Sequence, residues 1–142
     1  MGKTTSSTAT TQWNGDLFSG SGTTALQTSG VATFDVTWAK REQAGAGTTN
    51  PEELLAAAYA TCFSMALANK LAGGGHPPTS LDTSATVHFE AGVGVTSIDL
   101  RVSGDVPDLP DEEFRAEAEW AKDNCPIGAA LGAVSNKTLT VG

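Results

Sequence analysis

Two thiols, Cys62 and Cys125, are the residues of this 142-residue chain that can be joined as a disulfide and reduced again. They are too far apart for a C-x-x-C site and too few for the disulfide framework of a small secreted domain. In a reducing compartment such a pair is either two inert core residues or a redox couple. Cys62 falls in the apolar run from Leu54 to Leu71, where a free cysteine is most often a small hydrophobe. Cys125 is placed differently. The run Asn124-Cys125-Pro126 puts it at the N-cap of a helix, where unpaired backbone N–H groups and the helix dipole favour a thiolate. His76, beside Pro77-Pro78, and His88 share no metal-ligand spacing with each other or with either cysteine, so no metal site is expected. The glycine clusters Gly45 to Gly47 and Gly73 to Gly75 lack the strand, helix and lysine context of a phosphate cradle, and read as a loop and a helix stop.

Charge narrows the partners. With a formal net charge of -8 and eight scattered cations, the chain offers no basic face for phosphates, which argues against nucleic acid and anionic membrane. A small molecule or another protein chain fits better. The apolar run from Leu54 to Leu71 includes Thr61, Ser64, Asn69 and Lys70, so it is assigned to a protein core rather than a membrane span. MGKTTSSTATT has no apolar core of a secretory signal, and the expected location is cytoplasmic. MGKTTS and Asn136-Lys137-Thr138 fit acylation and glycosylation patterns, both of which arise often by chance.

The elements that must position the thiols follow from periodicity and punctuation. A polar, flexible tail is expected over 1–11 and a single domain over 12–142. Gln12 to Phe18, Thr23 to Thr28 and Val31 to Trp38 are β-prone runs separated by glycine-serine turns, predicting a three-stranded antiparallel meander. Lys40 to Thr49 is a polar, glycine-rich loop carrying Arg41, the only arginine before Arg101. A helix follows, with Asn50 as N-cap, Pro51 at its first position and Glu52 and Glu53 at the positive end of its dipole, stopping at Gly73-Gly74-Gly75. It is apolar or small nearly all round, which predicts burial on most sides. Asp82 to Glu90 and Thr96 to Ser103 form a hairpin, and Asp111 to about Asp123 an amphipathic helix burying Phe114, Ala118 and Ala121. A short helix over Ile127 to Val134 and an edge strand over Thr138 to Val141 end the chain.

The segment TNPEELLAAAYATCFSMALA (Thr49 to Ala68), together with Asn124-Cys125-Pro126 and WNGDLFSGSG (Trp13 to Gly22), resembles the OsmC/Ohr family of thiol peroxidases, over about Gln12 to Val141. Phe63-Ser64-Met65 leans toward its OsmC branch. The resemblance implies an α+β fold in which antiparallel sheets wrap a buried central helix in an intertwined homodimer. It also implies reduction of organic hydroperoxides and hydrogen peroxide without a cofactor, restored by a dithiol of lipoyl type. By motif, Cys62 matches the peroxide-attacking cysteine, Cys125 the resolving cysteine, Glu52 the acidic residue of the NPE motif and Arg41 the arginine after the early strand. Tyr59 stands where the OsmC branch often has histidine and receives no catalytic role. A thiol sensor or stress-protective binding protein using the same disulfide as a switch is the alternative.

These roles make chemical sense. A cysteine in an apolar setting is mostly protonated at neutral pH, so Cys62 needs a cation, and the permanently charged guanidinium of Arg41, held by Glu52, can supply it. Glu52 and Cys62 are ten residues apart, a rise of about 15 Å along one helix, so a contact between an Arg41 held by Glu52 and Cys62 is not available within one chain. Two antiparallel helices across a two-fold axis would bring Glu52 of one chain level with Cys62 of the other. Composite sites in a homodimer are therefore expected, with a Cys62–Cys125 disulfide inside each subunit.

Overall fold

The computed structural model describes residues 2–142, which fall into two compact units, one ending at Pro51 and one running from Glu52 to Gly142. In the first, β1 (Thr10–Asn14), β2 (Ser21–Ala25) and β3 (Thr33–Val36) form the expected antiparallel meander in that order. Pairing begins at Thr10↔Ala25, two residues before Gln12, and Thr8 is tied to Thr28 through the Thr28 N–H to Thr8 carbonyl bond of 3.0 Å. Gly22 is buried where a side chain would press on the Gln12 carbonyl and the Trp13 ring, each 2.8 Å from a Cβ, so β1 and β2 can approach closely only with glycine here.

The loop expected over Lys40 to Thr49 is shorter than that. Residues Trp38–Glu42 form a helix, α1, whose N-cap Thr37 accepts from the Lys40 N–H at 3.3 Å. Arg41 therefore projects from a helical turn rather than from a loop, because a threonine cap satisfies the first orphan N–H and makes one turn of helix worthwhile. The buried Asn50 then donates its side-chain amide to the Lys40 carbonyl at 3.2 Å, linking the end of α1 to the residue before the next helix.

That helix, α2 (Pro51–Gly73), starts at Pro51 as its punctuation predicts. Its end is a Schellman closure: the His76 N–H reaches the Leu71 carbonyl at 2.9 Å and the Gly75 N–H reaches Ala72 at 3.0 Å, with Gly75 at φ +88. A left-handed φ explains why a glycine stands there. The second unit continues with β4 (Ser80–Glu90) and β5 (Gly94–Asp105), the predicted hairpin, then α3 (Asp111–Asn124), α4 (Pro126–Ala130) and β6 (Lys137–Val141). The sheet runs β4-β5-β6, and its last strand is parallel to β5, so the expected all-antiparallel arrangement holds only for the hairpin. The two helices between β5 and β6 provide the crossover that a parallel neighbour requires.

The core of this unit joins Tyr59, Phe63, Leu67 and Leu71 of α2 to Ile98, Leu100 and Val102 of β5 and to Phe114, Ala118 and Ala121 of α3. The first four repeat every fourth residue, one stripe along α2. The helix is thus buried along one stripe of the described chain, and not on most sides as its all-round apolar composition predicts. Ala57, Ala58 and Thr61 are exposed and Met65 is 69% exposed. By length and composition the helix could also cross a membrane, yet this inner stripe is packed in the unit core.

Candidate active site

The site forms where a helix is interrupted. In an α-helix the carbonyls of residues 122, 123 and 124 would accept from the N–H groups of 126, 127 and 128. Cys125 breaks that pattern with extended backbone (φ -63, ψ 144), serving as C-cap of α3 and N-cap of α4 at once. Pro126 has no N–H to give. The next two N–H groups turn to sulfur: Ile127 donates to Cys62 Sγ at 3.4 Å and Gly128 to Cys125 Sγ at 3.2 Å. Consecutive amides of one helical turn thereby hold both thiols, although Cys62 and Ile127 are 65 positions apart in the chain. The two thiols are near enough to affect one another's titration, and both cysteines are free.

The two sulfurs differ in setting. Cys125 is fully buried, and loss of solvation pushes its thiol up to about 11; the Gly128 amide opposes this and the adjoining Cys62 reinforces it. The thiolate expected at this N-cap is therefore not favoured. The Gly128 and Ile127 amides at the start of a five-residue helix are outweighed by removal from water. Cys62 is only half-buried and opens onto an apolar groove of about 780 Å³, walled by Ala57, Ala58, Met65 and Ala66 of α2 and by Trp120 and Pro126. The Lys70 ammonium lies 4.6 Å from the Trp120 ring centroid and 4.0 Å from Glu117, which steadies that wall.

Of the four residues singled out in the sequence, the structure brings Cys62 and Cys125 together. Glu52 is buried in the first turn of α2, ten residues before Cys62 and so about 15 Å along the helix from it. Arg41 belongs to the first unit. The N-cap reading anticipates a backbone amide on Cys125, which Gly128 supplies, but not the Ile127 amide on Cys62, whose only signal in the sequence is the Cys-Pro step that frees it. Sequence reasoning gave no weight to Gly128 itself. A Cβ there would overlap the Lys122 carbonyl oxygen and lie 3.1 Å from both Cys125 Sγ and the Tyr59 ring. Gly128→Ala is therefore expected to destabilise the protein by about 2–3 kcal/mol through overpacking, read as a lower midpoint in urea with unchanged slope.

The chain that carries this thiol pair is similar to known proteins over most of its length. The family model for "OsmC-like protein" matches residues 44–139, a span that contains both cysteines and Glu52 and begins after Arg41. The chain is 39% identical over 124 residues to peroxiredoxin OsmC of Escherichia coli (strain K12), covering 85% of this chain and 86% of that one. It is 34% identical over 109 residues to an organic hydroperoxide resistance protein of Xanthomonas axonopodis pv. citri (strain 306), covering 71% and 73%. Among solved structures, an organic hydroperoxide resistance protein from Elizabethkingia anophelis superposes with a TM-score of 0.76 at 26% identity, covering 100% of this chain and 99% of that one. The chain belongs to the OsmC-like family and has its α+β fold. It is an enzyme, a thiol-dependent peroxidase.

Proposed function

We propose that this protein reduces organic hydroperoxides, and hydrogen peroxide, with Cys62 as the nucleophile and Cys125 as the resolving thiol. The observation that carries the reading is the placement of both sulfurs on consecutive amides, with only Cys62 open to the groove. The Cys62 thiolate attacks the outer oxygen of the hydroperoxide, the O–O bond breaks, and the alkoxide leaves and takes a proton to become the alcohol. Cys62 is left as sulfenic acid. Cys125 then displaces hydroxide from that sulfur, forming the disulfide, and its own proton leaves with the hydroxide as water. A dithiol, of lipoyl type, reduces the disulfide and is itself oxidised to the cyclic disulfide.

The difference between the two sulfurs suits this order. A buried Cys125, still a thiol at neutral pH, does not compete for peroxide, whereas Cys62 meets the groove where an alkyl group can rest. We assign Arg41 to stabilise the Cys62 thiolate and the developing negative charge, and Glu52 to hold the guanidinium, each supplied by the partner of a homodimer. The exposed, small and apolar outer face of α2 supports that assembly, because a second copy laid on it would roof the groove and exclude water. We infer a cytoplasmic location, where a redox-active thiol pair is returned to the reduced state by its surroundings.

Peptide mapping after one equivalent of cumene hydroperoxide tests the pairing: the main product should be the Cys62–Cys125 disulfide within one chain, and a Cys62–Cys62 link between chains would overturn it. Cys125→Ser should still react once and stop as sulfenic acid on Cys62, captured by dimedone. Because Cys125 titrates near 11, disulfide closure in the wild type should accelerate steadily from about pH 7 to 9 as its thiolate fraction grows. A pH-independent closure rate would show that Cys125 is not the attacking thiol of the second step.

A further inference from the structure

We propose that Tyr59 is a positioning residue for the second half of the reaction, keeping Cys125 against Cys62 by capping the carbonyl that the Cys-Pro step leaves unpaired. The Lys122 carbonyl lies four residues before Pro126, which has no N–H, so the helical partner of this carbonyl does not exist. The Tyr59 hydroxyl supplies the donor, reaching the Lys122 oxygen at 2.7 Å from 63 positions away in the chain. Tyr59 is fully buried, and burial raises its phenol well above the ordinary value, so it keeps the proton it donates. A part-buried carbonyl with no donor would be free to reorganise toward other partners, and the extended Cys125 backbone begins only three residues further on.

The same side chain controls two further contacts. Its ring packs beside Gly128, the residue whose amide holds Cys125 Sγ, and no Cβ fits between them. Tyr59 is also three residues before Cys62 on α2, so one rigid side chain joins the helix of the first sulfur to the turn of the second. This goes beyond the peroxidase reading, on which it rests, by separating the residue that helps close the disulfide from those that act on peroxide.

Tyr59→Phe removes one oxygen and keeps the ring. In single turnovers with cumene hydroperoxide, its peroxide-consuming step should remain within about twofold of wild type, while disulfide closure slows on the order of tenfold, the scale set by one lost buried hydrogen bond. Dimedone-trapped sulfenic acid on Cys62 should rise in parallel. A general loss of stability would not divide the two steps in this way, and thermal melting checks that the variant is folded. Closure by diamide, which takes two hydrogens from a dithiol, provides a measurement independent of peroxide. If wild type consumes no hydroperoxide but diamide closes Cys62–Cys125 more slowly in Tyr59→Phe, the peroxidase reading falls and the positioning role stands. Equal closure rates in wild type and Tyr59→Phe, with either oxidant, overturn the role of Tyr59, as does a wild type that forms no Cys62–Cys125 disulfide with either.

Discussion

Cys62→Ser is expected to bring hydroperoxide turnover with dihydrolipoamide down to the rate without enzyme, a loss of at least ~10³-fold. The reaction oxidises sulfur by two electrons, and a serine oxygen has no counterpart to sulfenic acid, so no residual cycle is available. The exchange should leave the fold intact. Cys62 is half-buried at the edge of the core, and serine has nearly its shape. Turnover is also the measurement that separates an enzyme from a sensor, since a sensor would be oxidised once and then wait for reduction. Retained steady-state consumption in Cys62→Ser would remove this residue as the nucleophile.

Arg41→Ala should slow oxidation of Cys62 by roughly 10²–10³-fold, the cost of removing one preorganised group that stabilises developing negative charge. Melting should change far less, because the guanidinium is assigned to the reacting atoms and not to the core. The stronger test uses the proposed dimer. A preparation of heterodimers carrying Cys62→Ser in one subunit and Arg41→Ala in the other contains one site with both defects and one site with neither. About half of wild-type activity should therefore return from two inactive parents. Purified heterodimers that stay inactive would show that Arg41 and Cys62 act within one chain, and a fully active monomer would dispose of shared sites altogether.

The sequence by itself determined what depends on near neighbours. Asn50-Pro51-Glu52-Glu53 and the three glycines after Ala72 specify where α2 begins and ends, since caps, proline and left-handed glycine act within one turn. Alternation gave the β4-β5 hairpin, and Asn124-Cys125-Pro126 marked the N-cap. The family was legible for the same reason, in short runs around the two cysteines. Arg41 was misplaced in a loop only because one capped helical turn is too short to leave a periodic signal.

Tertiary structure decided the rest. Whether Cys125 favours a thiolate depended on two opposing effects: its amide is local and visible in the sequence, but its burial comes from packing against residues more than sixty positions away. The same holds for α2, whose composition permits burial on every side and whose neighbours in one chain cover a single stripe. Likewise, Pro126 announces an unpaired carbonyl, while only the packed chain selects Tyr59 to satisfy it. Local rules set which groups need partners; distance along the chain hides which partners they find, because closing a long loop is driven by the burial of the whole core and leaves no mark on any short stretch of residues.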